Sequence, residues 1–323
     1  MTTFNSIIAA IDTRLDAHPI VEEAARIAKF NEASLKLVDV VPEFPWIARL
    51  MVREHANLRE MMGREMQAQL DALAKSIEGR GIDVETKVLW GKTSVEIIRE
   101  VLRGRHDAVL AVAKGTNSRQ KGFFGTTARR LLRDCPCAVW LVADADSPDY
   151  NHVMACIDTS TDHEVDAQLN ARIYELASKV SRQHQARSSI VQAWRMDAES
   201  ILKGRVPEKD FKEMLEQRRE YVDQLFNDFL SPLDHTSSDD DVHLLKGEPD
   251  EVIPRFAKEN DVDLIVMGTV ARSGLSGMVI GNTAERILNE VNCSVLAVKP
   301  DTFVSPIKEA KYIDFARQVE HAT

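Results

Sequence analysis

The chain has 323 residues, 44% of them hydrophobic and 28% charged, with a formal net charge of −10. The composition is that of an ordinary globular protein, and the length suggests two domains. The acidic balance gives little non-specific attraction to nucleic acid or to an anionic membrane surface, so neither is expected as a partner. Cys135, Cys137, Cys156 and Cys293 are too few for a disulfide framework. No apolar run approaches the ~20 residues of a membrane span. The run Ile7 to Ile11 is too short for a secretory segment and follows no positive region. A cytoplasmic chain is expected.

In chain order, short apolar runs near 6–12, 35–41, 83–90, 107–113 and 137–143 alternate with helical patterns near 17–30, 46–78, 93–104 and 125–134. Within 46–78, Leu58, Met62, Met66, Leu70, Leu73 and Ile77 form one stripe at spacings of three and four. The alternation then starts again, with strands near 152–158, 188–194, 241–246, 262–268 and 293–299. Its helices lie near 163–183, 206–230, 249–259 and 281–291. Runs such as AVLAVA and LIVMG, separated by helices, read as parallel strands buried on both faces. The expectation is two tandem doubly wound α/β domains, Rossmann-like, each with a five-stranded, mostly parallel sheet. They are placed at 1–145 and 150–300, followed by a tail at 301–323.

The two halves repeat each other in sequence. From Gly91 and Gly247 to Val142 and Val298 they align without a gap at an offset of 156 (263 − 107). Paired along it are Gly125 with Gly281, Thr127 with Thr283, Arg130 with Arg286 and Cys137 with Cys293. Near the start, Ile7–Thr13 matches Val153–Thr159 at an offset of 146 (158 − 12).

Open α/β sheets bind ligands beyond the carboxyl ends of their strands, at the switch point of strand order. Three segments of each half converge there. The first strand ends at Asp12 or Asp158, the fourth runs into a loop (112–124 or 268–280), and the loop enters a helix at Gly125-Thr126-Thr127 or Gly281-Asn282-Thr283. Free N–H groups and the dipole at such a helix start attract a phosphate, and a Gly lets it approach. Ordinary capping by Thr and Asn accounts for the same residues.

At these positions the chain resembles the universal stress proteins in their tandem two-domain form. Nucleotide-binding members of that family carry G-x2-G-x9-G-[ST] after the fourth strand. Here the second half has Gly268, Ala271, Gly281, Asn282 and Thr283 in that spacing, and the first has Val112, Gly115, Gly125, Thr126 and Thr127. Each half departs once in its leading glycine pair, and Asn282 departs at the end. The resemblance runs from Asn5 to about Pro300 and includes Gly247-Glu248-Pro249. Gly281–Glu285, GNTAE, looks like the E-type members.

The resemblance implies an adenine nucleotide-sized ligand such as ATP, within an adenine nucleotide alpha hydrolase-like fold. Adenine and ribose would lie near Asp12 or Asp158 and near Val40 or Ala193, with phosphates on the loop. Mg²⁺ would come with the phosphates, although the strand-end place of Asp158 suits a ribose better. The second half is favoured, because Val112 is bulkier than Gly268 and Ala271 adds only a methyl. Against it, Lys114, Arg119 and Lys121 make the first loop the more basic. The family also implies that the fifth strands, 137–143 and 293–299, pair as an internal pseudo-dimer. A further homodimer and an unknown protein partner stay open.

Gly91-Lys92-Thr93 imitates a P-loop end, but position 86 is Thr and the second half has Glu248 for Lys92. Cys137 and Cys293 read as buried small apolar residues, and Cys135-Pro136-Cys137 lacks a second ligand pair for zinc. No metal site is expected, short of distant histidines such as His152 and His243 converging. Ser273 and Ser276 have no adjacent base, so no catalytic residue is assigned. A stress-response binding or regulatory protein is expected. A slow ATP-hydrolysing enzyme and a module holding another ligand are the alternatives.

Overall fold

The computed structural model describes residues 4–15, 17–43, 55–114, 124–143, 149–160, 163–270 and 280–309. In the first half the strands are β1 (Ser6–Ala10), β2 (Ser34–Pro42), β3 (Val84–Gly91), β4 (Ala108–Val112) and β5 (Ala138–Val142). Its helices are α1 (Pro19–Asn31), α2 (His55–Glu78), α3 (Thr93–Gly104) and α4 (Thr126–Asp134). The second half has β6 (His152–Ile157), β7 (Arg187–Trp194), β8 (Val242–Lys246), β9 (Leu264–Gly268) and β10 (Ser294–Val298). Its helices are α5 (Glu164–His184), the short α6 (Glu199–Leu202), α7 (Glu208–Leu230), α8 (Pro249–Glu259) and α9 (Asn282–Glu290).

All ten strands form one sheet, in the order β3-β2-β1-β4-β5-β10-β9-β6-β7-β8. Within each half the five strands pair in parallel, with one isolated antiparallel bridge, Val270 to Ile280, in the second half; β5 and β10 pair antiparallel at the seam. Trp140 faces Leu296 there, the two positions that the offset of 156 makes equivalent. The pseudo-twofold axis therefore passes between residues that the repeat itself matches. The pairing joins two apolar edges that would otherwise present unpaired N–H and C=O groups.

Alternate residues of each buried strand feed opposite faces of the sheet. Ile7, Leu35, Leu110, Trp140 and Val266 pack under α1, α2, α5 and α7. Ile8, Val38, Val109, Leu141 and Ile265 pack under α3, α4, α8 and α9. Each such Ile, Leu or Val, fully withdrawn from water, contributes roughly 1.5–3 kcal/mol. The α2 stripe behaves as its spacing demands: Met66, Leu70 and Ile77 are buried, and Leu58, Met62 and Leu73 half-buried. The expected start of that helix, 46–54, lies outside the described residues.

Gly91 ends β3 and Gly247 follows β8, at φ 140° and 142°. Side chains rarely adopt that backbone. Gly91-Lys92-Thr93 is therefore a turn into α3, with Lys92 at its N-cap. Beyond β10, Phe303 is buried, and the Ser305 hydroxyl donates to the Asp134 carbonyl at the end of α4 (2.6 Å). The start of the expected tail thus docks on the first half. Among the described residues no helix is long and apolar enough to cross a membrane.

Candidate functional site: two unequal clefts

The strand order reverses between β1 and β4, and again between β6 and β9. A cleft opens at the carboxyl edge at each place. The first, about 270 Å³, is lined by Asp12, Val40, Val112, Gly125, Thr126 and Thr127. The second, about 590 Å³, is lined by Asp158, Ala193, Gly268, Gly281, Asn282 and Thr283. Ligand pockets usually measure roughly 300–1,000 Å³, a range that includes only the second. Gly115 and Ala271 lie outside the described residues, as do Arg119, Lys121, Ser273 and Ser276. A broader depression of about 980 Å³ between α8 and α9 carries solvated charges such as Asp250, Arg255 and Arg286. It lies away from the switch points.

Both helix starts are built alike. Gly125 and Gly281 are N-caps with extended backbone (φ −74° and −61°), and neither helix start has a side-chain cap hydrogen bond. The amides of these glycines donate to Ala113 O and Thr269 O, which ties each helix start to the end of its fourth strand. Thr126, Thr127, Asn282 and Thr283 therefore do not act through the simple capping that local sequence allows.

The walls differ. In the first cleft Arg14 grips Asp12 with two bonds, Nε to Oδ1 at 2.6 Å and Nη2 to Oδ2 at 2.8 Å. The second half has Ser160 in place of Arg14, and its backbone N–H donates to Asp158 Oδ1 (3.0 Å). Asn170 of α5, nearly buried, clamps the Asp158 backbone, accepting from its N–H (3.2 Å) and donating to its carbonyl (2.8 Å). The residue in that place on α1 is Ala24.

Behind each strand-end Asp sits a buried polar residue that sequence reasoning passed over. Asp39 accepts from Thr13 N (3.0 Å), Thr13 Oγ1 (2.7 Å) and Val40 N (2.6 Å). Burial still pushes its carboxyl above the usual range, outweighing these bonds. Its counterpart is Gln192, whose Oε1 accepts from Thr159 N (3.2 Å) and Thr159 Oγ1 (3.0 Å). Gln192 is fully buried, and its Nε2 has no partner. Thr269, also fully buried, has an unpartnered Oγ1 where the first half has Ala113. The signal for all of these was a polar residue interrupting an apolar strand or helix face.

At Gly268 an added Cβ would meet Leu169 of α5 at 3.0 Å. The first-half equivalent, Val112, packs on the core of that same face. The missing side chain thus lets Leu169 and Ile173 of α5 close on the end of β9.

Both ring nitrogens of His152 are occupied, by Asn260 O and Ser189 Oγ at 2.8 Å each. The distant-histidine metal site is therefore not assembled there. The three-residue grouping among the described residues that could hold an ion is His235, Asp239 and Asp241, in the loop after α7. Cys137 and Cys293 are half-buried rather than buried. Each stands just ahead of its strand, where the helix layer no longer covers it fully.

Comparison with known proteins agrees with the two-domain fold. The model of the universal stress protein family matches residues 3–143 and again 149–299. The chain is 30% identical over 322 residues to universal stress protein E of Photorhabdus laumondii, covering 96% of this chain and 100% of that one. It is 27% identical to universal stress protein E of Escherichia coli K12, over 95% and 98% of the two chains. Among solved structures, a Pseudomonas aeruginosa UCBPP-PA14 protein named for the same family superposes with a TM-score of 0.68 at 25% identity, over 92% and 94% of the chains.

Proposed function

Because the chain belongs to the universal stress protein family, we propose that it is a stress-response binding protein whose second half takes an adenine nucleotide, ATP-like in size. The ligand would lie against Asp158, Ala193, Gly268, Gly281, Asn282 and Thr283, with Ala271 on the glycine loop. The observation that carries this reading is that Gln192, whose buried Nε2 has no partner, lines the second cleft, with the unpartnered Oγ1 of buried Thr269 between the lining residues Gly268 and Val270. Leaving such a group unsatisfied costs about 1–3 kcal/mol, which a ligand hydrogen bond would recover. No such pair flanks the first cleft among the described residues, and there Arg14 holds Asp12.

In this reading the amides at the start of α9, with the Asn282 and Thr283 side chains, meet the phosphates. The Asp158 carboxylate, beside the Ser160 amide, meets the ribose hydroxyls. When bound, Mg²⁺ would neutralise phosphate charge. Of the acids that line the cleft, Glu248 and Asp197 are already paired with Arg195, at 2.5 and 3.7 Å. The role is binding and regulation rather than turnover, acting in the cytoplasm on a protein partner of unknown identity. Val40, Val112, Gly115, Gly125, Thr126 and Thr127 would make the first cleft a weaker second site only where Arg14 releases Asp12.

Native mass spectrometry of the purified chain, followed by calorimetric titration with ATP, tests the reading. One nucleotide per chain, with turnover far below the enzyme median of roughly 10 per second, is expected. No co-purified nucleotide and no heat on titration would refute it.

A further inference from the structure

Outside both clefts, α4 ends on Cys135 and β5 begins after Cys137, with Pro136 between. The two sulfurs are 3.5 Å apart. Cys135 is fully buried and Cys137 half-buried. Only the first half carries the pair, since Val291 stands where the repeat would place a second Cys135.

A buried cation from the other half reaches this spot. Lys299, at the end of β10, is 3% exposed. Its ammonium donates to Cys135 O (2.5 Å) and to Leu131 O (3.5 Å), and it lies over the Phe303 ring at 4.9 Å. A buried ammonium is costly unless paired, and two carbonyls leave its charge unbalanced. The adjacent thiol can supply the missing negative charge. Burial would raise the Cys135 thiol, but the Cys137 S–H and the Lys299 charge outweigh it and hold it below the usual thiol range. Cys137 keeps the shared proton.

From this juxtaposition we infer that Cys135, Cys137 and Lys299 form a dithiol modification site, oxidised to a Cys135–Cys137 disulfide by small disulfides, with Lys299 as the positioning counter-charge. The outer sulfur, Cys137, first passes the shared proton back to Cys135 across the 3.5 Å gap; as a thiolate it attacks one sulfur of the reagent, forming a mixed disulfide and expelling one reagent thiolate, which takes the proton from Cys135. Cys135, the inner thiolate, then attacks the Cys137 sulfur, and the bond to the remaining reagent half breaks with its electron pair on the departing thiolate. The two protein thiols lose two electrons and two protons, and one reagent disulfide becomes two thiols. The step does not depend on the nucleotide reading.

The test uses the full chain incubated with oxidised glutathione, then denatured, alkylated and mapped by mass spectrometry. A mass lower by two hydrogens is expected, with Cys135 and Cys137 protected and Cys156 and Cys293 alkylated. Full alkylation of all four, or a lasting glutathione adduct on Cys137, would overturn the site. K299M should shift the pH dependence of disulfide formation upward, and K299R should restore it, both with wild-type circular dichroism. A profile unchanged in K299M would remove Lys299 from the proposal. If K299M does not fold, the K299R profile and the Cys137→Ser variant decide instead: Cys137→Ser should take up no glutathione, because Cys135 is fully buried, and a glutathione adduct on Cys135 in that variant would sink the proposal.

Discussion

The two clefts stand on the same scaffold and differ at a handful of positions. Arg14 faces Ser160, Asp39 faces Gln192, Ala24 faces Asn170, Val112 faces Gly268 and Ala113 faces Thr269. In the first half these choices satisfy the cleft internally. Asp12 is held by Arg14, Asp39 by Thr13 and Val40, and Val112 fills its wall. In the second they leave a cleft about twice as large with two buried polar atoms unpaired. A duplicated fold can thus keep its backbone and build two unequal clefts through its side chains.

The strongest way to break the comparison is at the helix starts. Gly281 and Gly125 both have φ values that any residue adopts, so Val at either place tests space and not backbone strain. Gly281→Val should weaken ATP binding about 100-fold, roughly 2.8 kcal/mol, while Gly125→Val leaves the calorimetric isotherm unchanged. Equal losses in both variants would mean that the clefts are equivalent.

Next in size is an exchange across the clefts. Ser160→Arg should capture Asp158 as Arg14 captures Asp12 and cost about tenfold in affinity, near 1.4 kcal/mol. Arg14→Ser should add a second, weaker binding event to the titration. A single-site isotherm in Arg14→Ser would show that the first cleft is closed by more than its ion pair.

A finer test replaces one atom. Gln192→Glu keeps an acceptor for Thr159 but exchanges the unpartnered N–H for an oxygen. Affinity should fall about fivefold, in line with the ~1 kcal/mol of one neutral hydrogen bond. No change in the isotherm would detach Gln192 from the ligand.

The smallest effect is on stability. Burial holds His106 and His152 below the usual imidazole range, with Lys36 adding to the effect on His106 and Arg187 to that on His152. A depressed histidine contributes stability that is complete above its unfolded pKa of about 6.5 and is lost as pH falls through the folded value. The melting temperature should therefore drop by a few degrees between pH 7 and 5, about 2–4 °C per kcal/mol for halves of this size. His152→Gln should flatten that slope in a thermal melt series; a steeper slope would reverse the sign.

Much of the fold was legible because burial writes a period into sequence. The strand AVLAV at β4 and the stripe along α2 carry it plainly, and the repeat at 156 residues locates equivalent elements in each half. The strand-end Asp, the helix-start Gly and its neighbours were legible as a set because the same pattern occurs twice. Gln192, Asn170 and Thr269 were not, since each is one polar residue within an apolar stretch, and only its neighbours in space tell whether its hydrogen bonds are met. Cys135 read as one member of a weak metal motif; its partner in charge, Lys299, lies 164 residues away in sequence.

The sequence by itself determined the duplication, the alternation of strand and helix, and the two places where ligands meet such sheets. These follow from local periodicity and from glycines at fixed backbone positions. Only the tertiary structure decided that the seam joins Trp140 to Leu296, that Arg14 pairs with Asp12 in one cleft and that Lys299 reaches the dithiol. Those are pairings between side chains brought together by packing. The energy of each depends on burial and on unmet hydrogen bonds, quantities that no single stretch of chain contains.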